Sequence, residues 1–265
     1  MSLLVIALGL TAVPLGAAEP PALARARGLY NAADYDGAIA AAAQASNVPG
    51  AGDAAALVEA RARLERYRRS SDPLDLTAAR DRLRSLRPSA LSPRDRVDFL
   101  VGLGQALYLG NLFGPAVELF DTAMRGAATV PAVDRALLLD WWATALDRSA
   151  QASPSDRRAR LYERLDARMD EELRLDPGSA PANYWRAVAK RGAGDIDGAW
   201  DAAVAAWVRA PLGTATAPTL RVDLDRLVTQ ALIPERVRTR PLREQAEAVD
   251  ALHAQWALVK QQYAP

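Results

Sequence analysis

Three segments set 78 and 83 residues apart carry one pattern of spaced small residues. They are LYNAADYDGAIAAAAQA (29–45), LYLGNLFGPAVELFDTA (107–123) and KRGAGDIDGAWDAAVAA (190–206). In each, a turn is followed by Tyr35, Phe113 or Ile196, then by Ala38, Ala116 or Ala199 three residues later. A second alanine, Ala45, Ala123 or Ala206, follows seven residues further on. Steps of three and seven keep side chains on one face of a helix. An alanine at such a place lets a neighbouring helix come close, where a larger side chain would push it away. A pattern repeated at this distance implies stacked supersecondary units.

The rest of the chain agrees with helices alone. From Pro21 onward apolar residues recur at helical spacing, and almost nothing alternates with the period of a strand. Ser92-Pro93-Arg94-Asp95 and Ser153-Pro154-Ser155-Asp156 offer an N-cap serine, a proline at the first helical position and an early acid. Pro73, Pro131, Pro181 and Pro241 precede periodic stretches in the same way, and Gly50, Gly110, Gly178 and Gly192 fall where left-handed helix stops are expected. Short connections force neighbouring helices antiparallel. The expected pairs are 21–32 with 35–46, 53–70 with 73–87, 93–109 with 113–126, 131–149 with 154–175, 181–192 with 196–210, and 217–232 with 241–263. In the last helix Leu242, Val249, Leu252, Trp256, Val259 and Tyr263 form the expected buried seam.

The turn and the small residues resemble the tetratricopeptide repeat, whose helix–turn–helix unit carries small residues at the helix crossings. Gly104 and Ala116 stand twelve apart, as the family's small residues do, and Pro177 and Pro211 match its repeat-ending proline. The units average about 40 residues rather than the family's 34. Segments 53–87 and 131–175 match poorly and 217–263 does not match. The resemblance implies an all-α, right-handed superhelical solenoid of about six antiparallel helix pairs. The alternative is an irregular helical bundle. The expected organisation is a leader over 1–18, a repeat array over 19–211 and capping helices over 212–265. By the family's inward-facing positions, a partner-binding groove would be lined by Tyr30, Asn31, Gln105, Tyr108, Tyr184 and Arg191, at least partly exposed. For Tyr108 and Tyr184, packing between units is the competing expectation.

Composition removes several chemistries. With no cysteine and a single histidine, His253, the chain has no thiolate nucleophile, disulfide, Cys-ligated zinc or multi-His metal site. A formal charge of +1 supplies no bulk attraction for nucleic acid. No Gly-x-Ser-x-Gly elbow or phosphate-binding glycine loop is present. Carboxylates that could pair for glycan cleavage are Asp140 beside Trp141 and Trp142, Asp195 with Asp197, and Asp223 with Asp225. Helix capping or solvation is the plainer expectation for them. Arg61, Arg63, Arg66, Arg68 and Arg69, then Arg80, Arg82, Arg84 and Arg87, are interleaved with acids and suggest a solvated face.

Leu3 to Leu15 is a nearly uncharged apolar run followed by Gly16-Ala17-Ala18, matching a secretory signal cut after Ala18, although no Lys or Arg precedes the run. An uncleaved anchor and a buried first helix are the alternatives. Together these features lead to the expectation of a periplasmic or secreted, non-enzymatic scaffold binding a protein or peptide, with no cofactor, metal or nucleic acid. The rival expectations are an accessory subunit of solute uptake or envelope assembly that binds a small ligand or sugar, and an acid-pair glycoside hydrolase.

Overall fold

The computed structural model describes residues 19–127, 135–210, 217–238 and 240–263. The leader and its cleavage after Ala18, the helix start at Pro131, Pro211 and the 211/212 boundary lie outside the described residues. The described residues form helices and no strand. They are α1 (Pro21–Asn31), α2 (Tyr35–Ala45), α3 (Gly52–Ser70), α4 (Pro73–Ser85), α5 (Pro93–Tyr108), α6 (Phe113–Ala127), α7 (Arg135–Gln151), α8 (Ser155–Leu175), α9 (Ala180–Gly192), α10 (Ile196–Arg209), α11 (Ala217–Leu227), α12 (Ile233–Val237) and α13 (Leu242–Gln262). A single 3₁₀ turn, Pro88–Ala90, lies between α4 and α5.

The chain forms two compact units, one up to Asp95 and one from Arg96. In the first, α1 packs on α2 and α2 on α3 around Leu23, Ala26, Ala42 and Ala55, and α4 packs on α3 with Leu76, Ala79 and Leu83 buried. In the second, each helix from α6 to α10 packs on the next. One of its cores gathers around Phe120, Trp141, Trp142 and Leu165, and the other around Trp200, Trp207, Leu232 and Trp256. Adjacent helices packing in sequence are compatible with a helical repeat.

The three pattern-bearing turns are built alike. Ala33, Asn111 and Gly194 occupy the same place in each and all have positive φ, at 59°, 61° and 87°. The next residue's N–H, at Asp34, Leu112 and Asp195, bonds the carbonyl five residues back, of Leu29, Leu107 and Lys190, at 3.0, 2.9 and 2.9 Å. This bond satisfies a carbonyl that the helix end would otherwise leave open. The left-handed residue is therefore Asn111 rather than Gly110, and Gly194 rather than Gly192, while Gly178 has no positive φ and Gly50 does. The stop is set by the length of the turn, not by the first glycine reached.

Asp34 and Asp195 then start the next helix by accepting from Gly37 and Gly198 N–H at 3.0 and 2.9 Å. A Cβ on either glycine would run into the capping carboxylate, so cap and glycine act as a pair. The middle turn has Leu112 and Pro115 at those two places. Proline has no N–H, so the donor is missing together with its acceptor. The Gly198 N–H, against the cost of burial and helped by Lys190, lowers the Asp195 pKa below its ordinary value. A depressed carboxylate contributes stability above its unfolded pKa and loses it as pH falls through the folded pKa. Asp195→Ala should cost about 0.5–2 kcal/mol at neutral pH. In urea melts across acid pH, Asp195→Asn should keep most of that stability while losing its acid dependence. Equal acid dependence in the wild type and Asp195→Asn would remove the cap from the account.

Ala38, Ala116 and Ala199 are fully buried, as are the second alanines Ala45, Ala123 and Ala206. Twelve residues before the first set stand Ala26, Gly104 and Ala187, also buried. At Gly104 a Cβ would lie 2.6 Å from the Phe120 ring. At Gly192 it would strike the Tyr162 ring, so this glycine, expected as a helix stop, is fixed by close packing.

Three local expectations are corrected. Ser153 does not cap α8, which begins at Ser155 after Pro154; its hydroxyl donates instead to the Ser149 carbonyl at 2.7 Å. Ser92 behaves as expected, accepting from Asp95 N–H at 3.1 Å. The helix expected to end at residue 232 continues through a π turn, Val228–Leu232, into α12. There Ile233 donates to Val228, five residues back, just ahead of Pro234, which has no N–H to give. In α13 the buried residues are Ala248, Leu252 and Trp256. Leu242 and Tyr263 are 86% and 39% exposed, because they stand at the ends of the helix beyond its packed middle.

Candidate functional site

Arg191 lies in the last turn of α9 and reaches Glu235 of α12. Its Nη2 donates to Oε1 at 2.6 Å, and its Nε lies 3.1 Å from both carboxylate oxygens. This fork geometry is the strong form of the arginine–carboxylate pair. Beside it, Tyr162 of α8 rests its ring on the Gly192 backbone and donates its hydroxyl to Asp147 at 2.9 Å. Burial, reinforced by the Asp147 charge, pushes the Tyr162 phenol well above its ordinary pKa, so it acts as a donor. Gln151 donates to the other Asp147 oxygen at 2.7 Å, and Arg158 donates to the Ser153 carbonyl at 3.1 Å.

These groups surround an open pocket of about 410 Å³ lined by Gln151, Arg158, Tyr162, Arg191, Gly192 and Glu235. Two guanidiniums, a carboxylate, an amide and an aromatic edge can hold the polar groups of a chain segment through several hydrogen bonds at once. Of the sequence-derived groove residues, only Arg191 reaches this pocket. Gln151, Arg158, Tyr162 and Glu235 were not expected from the sequence. The i,i+4 spacing of Arg158 and Tyr162 on one helix face is a signal that could have pointed to them, whereas Glu235 lies 44 residues from Arg191 with no local signal.

The other groove residues are used differently. Tyr108 is half-buried between Phe113 and Trp141, each ring centroid 5.3 Å away. Tyr184 is half-buried edge-on to Trp185 at 5.2 Å, and burial first, then nearby acids, push its pKa up to about 12. Gln105, expected to be partly exposed, is 2% exposed, because its stretch of α5 is buried from Gly104 through Ala106. Tyr30, in the first unit, is half-buried beneath the Arg61 guanidinium, and Asn31 is exposed at the end of α1. Pro177 is exposed, and its carbonyl accepts from Arg209 at 2.8 Å.

Each carboxylate weighed for catalysis has a partner. Asp140 accepts from Trp185 Nε1 at 2.9 Å, Asp195 caps α10 and Asp197 pairs with Arg236 at 2.8 Å. Asp223 pairs with Arg226 at 3.3 Å, and Asp225 accepts from Trp256 and Lys260 at 2.9 and 2.7 Å. The arginines of α3 and α4 are engaged in the same manner. Asp75, 2% exposed, receives both Arg66 and Arg63, and hydrogen bonding from Arg66 lowers its pKa despite burial. Glu59 takes Arg63 and Arg82. No group of three or more His, Asp or Glu side chains suited to a metal ion occurs among the described residues, and no described helix is long and apolar enough to cross a membrane. No protein-family model matches the chain, and no curated protein matches its sequence.

Proposed function

We propose that the protein is an exported, non-enzymatic scaffold, a tetratricopeptide-like solenoid closed by C-terminal helices, that binds a segment of another protein or a peptide. The observation that carries this reading is the polar pocket at Arg191. It joins fixed hydrogen-bonding groups from α7, α8, α9 and α12 on rigid helices. Tyrosine and arginine supply interface energy out of proportion to their number. The carboxylates capable of acid–base work are already committed to caps, tryptophans and cations, which favours binding over the hydrolase alternative. The apolar run ahead of Ala18 supports export.

The test is affinity capture from a cell-envelope extract with the chain lacking residues 1–18, followed by affinity measurement with the captured partner. Truncating either member of the Arg191–Glu235 pair alone would strand a half-buried charge, so the variant is the neutral double change Arg191→Met with Glu235→Gln. Its helical content should match the wild type while partner affinity falls roughly tenfold to several-hundredfold. A captured partner that binds this variant as tightly as wild type would move the interface away from the pocket. A chain that captures nothing reproducibly would defeat the scaffold reading.

A further inference from the structure

A second opening, of about 290 Å³, lies at the start of α6, where it meets α7 and α8. Leu112 stands at the capping place and is 51% exposed, and Pro115 carries no N–H. The backbone N–H groups of Phe113 and Gly114 have no acceptor among the described residues. A helix start of this kind favours negative charge.

Ser149 of α7 also lines the opening. It is 9% exposed, its carbonyl accepts from the Ser153 hydroxyl, and its own hydroxyl has no hydrogen-bond partner among the described residues. On a residue otherwise held in the interior, that hydroxyl faces the opening with its hydrogen-bonding capacity unused by the protein. From the spot where a Gly114 side chain would begin, Ser149 Oγ is 3.8 Å away and Arg157 Nη2 is 4.0 Å away. Arg157 is exposed and forms no ion pair among the described residues. The Gly114 backbone at an open helix start, a hydroxyl and a guanidinium thus border the space that the glycine leaves empty.

The remaining walls decide which anion fits. Val117, Leu146 and Leu161 are apolar, and Val117 and Leu146 are 2% and 1% exposed. Glu118 and Arg164 border the opening as an ion pair at 3.1 Å, and Arg164 is also held by Asp121, so this rim adds no net positive charge to balance a doubly charged anion. We infer that this opening is a binding site for a monocarboxylate on a short apolar stem, its carboxylate on Gly114, Ser149 and Arg157 and its stem on Val117, Leu146 and Leu161. The site is separate from the Arg191 pocket and does not rest on the scaffold reading.

The test is an NMR titration of the ¹⁵N-labelled protein, following the Phe113 and Gly114 amides. Hexanoate and the peptide acetyl-glycyl-leucine present the same group from a free acid and from a chain end. At least one should shift these amides saturably, and which one does so identifies the source. Hexanamide should leave them unmoved, and sulfate should shift them less. Gly114→Ala places a methyl at ordinary van der Waals distance from Ser149 and Arg157, so the fold should persist with an unchanged melt while binding, followed at Phe113, disappears. Arg157→Gln should weaken binding by about tenfold or more. Saturation by neither probe overturns the site, as does an equal response to sulfate or hexanamide, or hexanoate or peptide binding that survives both Gly114→Ala and Ser149→Ala.

Discussion

Gly104→Ala is expected to destabilise the protein by about 1–3 kcal/mol, even though alanine is the better helix former. Helix propensity alone would favour the change by about 0.8–1 kcal/mol. The opposing effect is steric. The added Cβ would lie 2.6 Å from the Phe120 ring, and that ring is fully buried and stacked on Trp141 with centroids 6.0 Å apart. A flexible surface side chain would swing aside, but this ring has packed neighbours on its far side. A double-mutant cycle with Phe120→Leu isolates the clash. Phe120→Leu alone should destabilise, and adding Gly104→Ala to it should cost far less than in the wild type, with a coupling of about 0.5–3 kcal/mol. Equilibrium urea denaturation measures all four proteins. A single Gly104→Ala variant as stable as wild type would show that propensity wins and that α5 and α6 do not cross closely here.

The helices and their turns were legible because their determinants are local. A cap, a proline and a 3.6-residue period act within one or two turns, and the spaced alanines record a close approach by what they lack. The alignment of 29–45, 107–123 and 190–206 even carries the geometry of the turn, since Ala33, Asn111 and Gly194 share one position and one conformation. What was not legible depends on partners distant in sequence. Nothing near Arg191 announces Glu235, and nothing near Asp75 distinguishes it, an almost wholly buried hub for Arg63 and Arg66, from the solvated Asp81 that pairs with Arg84. Gln105 illustrates the same limit. A polar residue at an inward-facing repeat position suggests a groove, but burial is decided by whichever helices cover that face. Gly192 shows the converse: α9 does end there, as its local context suggests, but without a left-handed conformation, and its need for glycine comes from the Tyr162 ring of another helix.

The C-terminal helix can be tested as an integral part of its unit. Trp256 is 1% exposed, and its ring lies 6.1 Å from Trp200 and 5.3 Å from Trp207 in edge-on contacts. Its Nε1 donates to Asp225 of α11 at 2.9 Å, and Lys260 reaches the same oxygen at 2.7 Å. Trp256→Ala removes the ring on which α10, α11 and α13 converge and should cost about 3–5 kcal/mol. Trp256→Phe keeps most of the apolar contact but drops the N–H. Because Asp225 retains Lys260, the loss should be smaller, about 1–2 kcal/mol. Burial alone would raise the Asp225 pKa, but the bonds from Lys260 and Trp256 outweigh it and hold the pKa below its ordinary value. Its contribution is therefore present above the unfolded carboxylate pKa and fades as pH falls through the folded one. The Trp256→Phe variant should lose less stability on acidification than wild type. A detachable cap would give a different result, with Trp256→Ala costing under about 1 kcal/mol and α13 melting in a separate early transition.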